Sequence, residues 1–350
     1  MRPSLAIATF FAIVQLWSLS ARAGCVSAGI NLDEHLLVDP PRDEDYAGGL
    51  SIYAATRDGR CGPRWSTHGL KWLDEHLRRT DRSDHDGPSS NAIGGGLLVM
   101  TPGHLRARQA VLGDRPYSSL LYLSATRESV FDDENSAIDS SITFGIMGLG
   151  LAQGVQHVLH DATGSAQARG WSHQISSGGE PTARVEISRQ SLWSSSKREG
   201  SLQTDLKGAW TVNVGTLTDV GLAFNARAGR IASPWWSVAP EQNTYADGFG
   251  SVASLPTLNR PELFVMAGGR VRLRAYDAFL QGQFRHSDLR YSPTDLQPIL
   301  MDAWLGVQWM PRNGLVIRYV ARFQTPELRY GNGSRNLLWG SVEFAFLPGA

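Results

Sequence analysis

Arg272 and Arg274 alternate with Val271, Leu273 and Ala275. This short pattern constrains the fold more than any other stretch of the chain. A two-residue period puts successive side chains on opposite faces of a strand. One face here is apolar and the other carries guanidinium groups, which are very costly in lipid and must therefore face inside. The pattern recurs over Gly314–Phe323, where Leu315, Ile317, Tyr319, Ala321 and Phe323 point one way and Arg318 and Arg322 point the other, with Val316 and Val320. A lipid-facing side and a wet lumen produce this arrangement.

The remaining segments agree. Ala303–Trp309 sets Ala303, Leu305, Val307 and Trp309 on one face, and Asn313-Gly314 marks a tight turn to the following strand. Leu337–Leu347 sends Leu338, Gly340, Val342, Phe344 and Phe346 outward and Trp339, Ser341, Glu343 and Ala345 inward. Earlier candidates are Cys25–Val38, Gly48–Thr56, Asn91–Thr101, Tyr117–Arg127, Ala137–Gly148, Thr182–Trp193, Leu202–Val214, Asp219–Gly229, Leu263–Ala275 and Ala278–His286. The expected fold is all-β, an antiparallel transmembrane β-barrel of about 12 strands with a short helix near its site. Beyond the N-terminal leader there is no clean apolar segment of the length a spanning helix needs. Ile142–Leu159 is interrupted by glycines and by Gln153, Gln156 and His157, and reads as a strand followed by a helix.

Residues 1–23 read as an export signal: Arg2, an apolar run from Leu5 to Trp17, and the small-x-small pattern Ala21-Arg22-Ala23. Residues 24–350 then form the barrel domain. The whole chain carries 33 basic and 33 acidic residues, and the leader removes Arg2 and Arg22 and no acid, leaving 31 against 33, a formal charge of −2. No polyanionic partner such as nucleic acid is implied. Cys25 and Cys61 both lie in the exported part, where a disulfide can form, and neither has zinc-site spacing. A lipoprotein with an acylated Cys25 is disfavoured by Arg22 three positions earlier.

Two long connections stand out. Gly59–Ser90 contains a helix over Thr67–Arg79, in and after which His68, Asp74, Glu75, His76 and His85 read as solvated surface. Ile231–Pro261 carries Trp235 and Trp236 and reads equally as a functional loop or a tolerated insertion. A third stretch, Gly154–Gln174, points to a site. Gln153, Gln156, His157 and His160 form one helical stripe, opposite Leu151, Val155, Val158 and Leu159. A solvated stripe is normally filled with Lys and Glu, so amides and imidazoles suit a partly dry polar cavity.

Three blocks together resemble the outer-membrane lipid A 3'-O-deacylase family. Asn31–Tyr53, "NLDEHLLVDPPRDEDYAGGLSIY", is similar to the family's Asn-Asp pair followed by Asp-x-x-Tyr-Thr-x-Gly. Asp114–Ser124, "DRPYSSLLYLS", is similar to its Asp-Arg-Pro-Tyr strand start. Gln156, His160, Gly170-Trp171, Gln174 and Glu180-Pro181 match Gln-x-x-x-His, Gly-Trp, Gln and Glu-Pro. The resemblance implies a Gram-negative outer-membrane hydrolase that removes an ester-linked acyl chain from the lipid A of lipopolysaccharide, with calcium as cofactor and a site between barrel wall and helix. It implies His160 as the base that activates water, which suits a group titrating near neutrality, while a hard cation would hold the developing oxyanion.

From this reading the candidate catalytic residues are His160, Gln156 and Arg115, and the candidate metal ligands are Glu34, His35 and Asp45. Each has a structural alternative. His160 can cap or pack the helix, Arg115 can make a lumen salt bridge instead of gripping a lipid phosphate, and Asp45 and Glu180 suit turns. Gly170-Trp171 can serve simply as an interface aromatic. The sequence departs from the family pattern at the expected metal site. Aligned through Leu36-Leu37, Glu34 and His35 replace the Asn-Asp pair and Ala47 replaces the Thr, whereas a shift of one or two residues brings in Asn31 or Asp33. Three functions follow: a lipid A hydrolase, a catalytically altered barrel that binds lipopolysaccharide or serves structurally, and a diffusion channel.

Overall fold

The computed structural model describes residues 27–34, 45–56, 64–78, 88–131, 135–163, 166–196, 202–242, 245, 260–312 and 314–346. The expected leader 1–23, Cys25, Cys61, His35 and His85 lie outside these residues, and Asp45 and Ala47 are described in backbone only.

Twelve antiparallel strands close into one barrel in which each strand pairs with its sequence neighbours and β1 pairs with β12. They are β1 Ser27–Glu34, β2 Asp45–Thr56, β3 Ser89–Thr101, β4 Ser118–Val130, β5 Ser136–Met147 and β6 Glu180–Ser196, then β7 Gln203–Gly215, β8 Leu217–Arg230, β9 Glu262–Asp277, β10 Ile299–Met310, β11 Leu315–Gln324 and β12 Leu337–Phe346. Closure pairs every strand edge, the condition for a sheet to stand in lipid. One expected strand is absent. Ala278–His286 is no strand but opens with the short helix α3, Ala278–Gln281, because Asp277 caps its first turn by accepting from the Phe279 amide at 2.9 Å.

Alternation reads directly onto the two faces. Leu222 (71% exposed), Leu123 (72%) and Leu305 (63%) stand among the outward apolar side chains, while Arg272, Arg318 and Arg322 are buried inside. The lumen charges are paired. Asp302 accepts from Arg272 Nε at 2.8 Å and Arg270 Nε at 2.9 Å, Glu343 accepts from Arg318 Nη1 at 2.6 Å and from the Tyr53 hydroxyl, and Asp205 accepts from Arg227 Nη2 at 2.6 Å. Buried charges persist only with such partners.

The barrel has two ends, the terminal end where β1 begins and β12 finishes and the opposite, helix end. Helix α2, Leu151–Thr163, belongs to the helix end, in the β5–β6 connection. The two long connections leave at the terminal end. The first contains α1, Arg64–Arg78, as expected, but Asp74 is not solvated. It is 2% exposed and accepts from Arg127 Nε at 3.0 Å, Ser129 Oγ at 2.8 Å and Ser140 Oγ at 2.7 Å. The second is no mere insertion, since it turns into the lumen. There Lys207 Nζ donates to the Val238 carbonyl at 2.7 Å and pairs with Glu241 at 2.7 Å, and Arg322 Nη1 donates to the Pro240 carbonyl at 2.9 Å. Trp235 and Trp236 pack beside Ala137 and Val130. Among the described residues, 235–241 thus occupy the lumen at this level.

Candidate active site

The β5–β6 connection lies against the outside of the wall. On β3, Leu98 and Met100 are fully buried and inward, whereas the outward Leu97 and Val99 are partly buried beneath a cluster of Ala152, Ala168, Trp171, Tyr117 and Leu105. Helix α2 therefore covers the outer face of β3. Its exposed apolar residues include Leu151 (52%), Val155 (38%) and Val158 (68%), beside Gln153, Gly154 and Asp161, and Gln156 and His160 are buried. The helix thus turns its amides and imidazoles toward protein and its apolar stripe away, the arrangement a lipid-bathed helix requires. Gln153 is exposed and His157 half-buried, so the stripe is only partly enclosed.

Two hydrogen bonds set the chemistry of the inner face. His160 Nδ1 lies 2.5 Å from the Ala166 carbonyl oxygen. A carbonyl only accepts, so Nδ1 carries the proton and Nε2 is the unprotonated nitrogen of the neutral ring. One helical turn earlier, Gln156 Oε1 accepts from Trp171 Nε1 at 2.8 Å, which fixes the side-chain amide, and Gln156 Nε2 is buried without a hydrogen-bond partner. An amide aimed this way is a donor held ready for an oxygen. Trp171 itself is 2% exposed, with its ring 4.9 Å from that of Tyr117. Gly170 precedes it because a Cβ there would fall 2.6 Å from the Tyr117 ring. Trp171, matched from sequence to the family's Gly-Trp with an interface aromatic as the alternative, is buried and holds the Gln156 amide, and its signal was its place beside Gly170 in the same block as Gln156.

The connection is held down on both sides. Ser119 Oγ donates to Gln174 Oε1 at 3.2 Å, Ile175 N donates to the Tyr117 carbonyl at 2.8 Å, and Glu180 accepts from the Ser176 hydroxyl and from the amides of Phe284 (2.5 Å) and Arg285 (2.8 Å). Glu180 is thus a brace between two connections of the helix end.

Register decides which residues of β1 share this outer face. Glu34 pairs with Gly48, Gly48 with Val99, and Val99 with Ser119, one row across four strands. With strands about 4.8 Å apart, Glu34 and Val99 are separated by about 10 Å. The row is bare at Gly48, where a Cβ would stand 3.1 Å from Glu34 Oε2. The Glu34 carboxylate therefore leans over Gly48, toward the strand that carries α2. Asn31 and Asp33 face the other way, lining a lumen cavity, and Asn31 Nδ2 donates to Asp33 Oδ1 at 2.9 Å. The shifted alignments through Asn31 or Asp33 thus lead away from the helix. Asp45 stands opposite Thr101, beyond the end of β1 at the same barrel end.

Arg115 is not brought to the outer face that Glu34 and α2 share. It is a lumen ion pair with Glu327 and contacts the Tyr245 hydroxyl at 3.3 Å and Met100 Sδ at 2.8 Å. Pro116 and the start of β4 turn it inward, so the expected grip on a lipid phosphate gives way to the salt bridge. Burial alone would push the Glu327 carboxyl up, but the guanidinium groups of Arg115 and Arg274 hold it below the ordinary carboxylate value.

Calcium takes six to eight oxygen ligands and disfavours nitrogen. Among the described residues no group of three His, Cys, Asp or Glu side chains forms a metal cage, Glu34 supplies one carboxylate at the groove, and an imidazole follows at position 35. Among the described residues this donor set does not amount to a calcium site.

Comparisons with known proteins place the chain. The family model described as "Outer membrane protein LpxR" matches residues 5–347. No curated protein matches. The solved structure of LpxR from Salmonella typhimurium is similar with a TM-score of 0.70 at 15% identity, over 92% of this chain and 99% of that one. The β domain of the Bordetella autotransporter BrkA reaches a TM-score of only 0.39 at 8% identity, over 91% of this chain and 98% of that one. With a closed twelve-stranded barrel, a helix on its outer wall and a match over nearly the whole length, the chain belongs to the outer membrane protein LpxR family, the lipid A 3'-O-deacylase family that its three sequence blocks resemble.

Proposed function

We propose that this outer-membrane protein hydrolyses an ester-linked acyl chain of lipid A, in the groove between α2 and the outer face of β1 to β3. The observation that carries the reading is the placing of His160 and Gln156, both buried, on the protein-facing side of α2, with His160 Nδ1 2.5 Å from the Ala166 carbonyl oxygen; in this reading Nε2 is the base. In this reading His160 takes a proton from water as the water attacks the ester carbonyl, and the Gln156 side-chain N–H donates to the oxygen that gains charge. The proton on His160 then passes to the departing sugar oxygen. Helix α2 and Glu34 both lie on the lipid-facing side of the wall, so in this reading an acyl chain reaches them from within the leaflet without leaving apolar surroundings.

The test is mass spectrometry of lipid A from cells producing the wild type or His160→Gln. Loss of one ester-linked acyl chain in the wild type alone supports hydrolysis, and an identical acyl pattern in both defeats it. Repeating the assay with a calcium chelator tests the ion separately. Glu34, His35 and Ala47 at positions where the family has Asn, Asp and Thr favour a second reading, a barrel that binds lipopolysaccharide without cleaving it. It predicts the unchanged acyl pattern together with lipopolysaccharide retained through purification.

A further inference from the structure

Helix α1 also lies on the outside of the barrel. Arg127 and Ser140 stand four residues along from Leu123 and Phe144, which are exposed on the outer face at 72% and 50%, and strand alternation gives all four the same outward direction. The outer wall of β4 and β5 is therefore polar toward the terminal end, about 13 Å below its apolar belt. Bare in lipid, such an arginine costs up to about 2–4 kcal/mol at the membrane centre and little near the surface. Asp74 of α1 covers it, accepting from Arg127, Ser129 and Ser140, with Leu70 buried beside them.

Among the described residues the opposite side of α1 is exposed. Trp72 is 58% exposed, with its ring 4.1 Å from that of His76, and Lys71 pairs with Glu75 at 3.7 Å along the same exposed face. Elsewhere at the terminal end the strands themselves supply outward aromatics: Trp193 on β6, Trp309 on β10 and Phe346 on β12, all exposed. The described outward positions of β4 and β5 near this end, Ala125, Arg127, Ser129, Ile138 and Ser140, include no aromatic. Phe131, just past β4, is buried beside Arg189, so Trp72 of the helix that covers these positions is the exposed aromatic among the described residues of this stretch. Outer-membrane barrels carry such aromatic girdles at the depth of the lipid headgroups.

We propose that α1 is an interfacial helix that completes the terminal-end girdle, with Trp72 seated among phospholipid headgroups and Asp74 pinning the helix to the wall. The partner is the leaflet opposite the one that meets α2. The proposal rests on the membrane setting of the barrel and stands or falls independently of the hydrolase reading.

The full chain, made with 5-fluorotryptophan and placed in phosphatidylethanolamine–phosphatidylglycerol nanodiscs, tests it by fluorine NMR. Trp72→Phe and Trp309→Phe assign the two resonances. Lipids bearing a nitroxide near the headgroup are expected to broaden the Trp72 line at least twofold, as they do the Trp309 line, and Asp74→Asn is expected to reduce the effect at Trp72 alone. A Trp72 line broadened by a water-soluble gadolinium chelate but not by the lipid nitroxide overturns the proposal, placing the face in solvent. A line broadened by neither also overturns it, placing a protein surface there. An unchanged lipid A acyl pattern in Trp72→Phe is expected whichever way the hydrolase question resolves.

Discussion

The Trp171 indole donates to Gln156 Oε1 at 2.8 Å, and this one bond determines which end of the Gln156 amide faces the groove. Trp171→Phe keeps the ring but removes the donor, so the amide oxygen is left buried without its partner. A loss of stability of about 1–3 kcal/mol is expected, read as a lower temperature for the heat-modifiable shift on gels. Deacylation should fall by at least tenfold, since the amide can then turn its oxygen toward the developing anion. Full activity in Trp171→Phe would show that Gln156 needs no such orientation.

Gly48 tests the groove itself. A Cβ there meets Glu34 Oε2 at 3.1 Å and the Asp33 carbonyl at 3.0 Å, and the β-branch of Val would push the carboxylate aside. Gly48→Val is expected to lower barrel stability, because the backbone there has a φ of +157°, and to cut acyl release by the folded protein at least tenfold. Gly69→Val, where a Cβ meets nothing within 4 Å, serves as a control for added bulk at an exposed glycine of α1, at the other end of the barrel. Equal loss in both would remove the groove from the account.

Glu327 predicts an acid-labile helix end. Because its folded value is held below the ordinary carboxylate range, it contributes stability above the unfolded value of about 4.3 and loses that contribution as the pH falls toward its lowered folded value. Wild-type barrel should therefore lose stability below about pH 4, and Glu327→Gln should show a flatter dependence there from a lower starting point. Breaking a buried pair costs about 3–5 kcal/mol, so the variant should unfold earlier at pH 7. A parallel pH dependence in both proteins would assign the acid sensitivity elsewhere.

The filled lumen predicts a silent barrel. Lys207, Arg270 and Arg322 each hold the Val238–Glu241 segment inside, through Val238 and Glu241, the Glu241 carbonyl and the Pro240 carbonyl. Wild-type protein in planar bilayers should show no steady conductance, and exchange of residues 235–242 for a Gly-Ser linker should produce one. Steady conductance in the wild type would mean that this segment does not block the lumen.

Much of this molecule was legible in the order of its residues. Alternation named the inward arginines and the outward aromatics of β11 and β12 correctly, because a pleated strand converts sequence parity directly into side. Three blocks of motif pointed to the family, and a 3.6-residue period set Gln156 and His160 on one helical face. What parity alone could not decide is what stands against each face. Asp74 read as solvated because a helix period does not reveal that its polar side meets Arg127, Ser129 and Ser140. Arg115 stayed open between a lipid phosphate and a lumen salt bridge because a residue outside a strand has no parity to assign it a side. Asn31 and Asp33 competed with Glu34 until pairing with Gly48 and Val99 put Glu34 on the outer face. These contacts join residues tens to hundreds of positions apart, and only closure of the barrel, which fixes every register at once, brings them together.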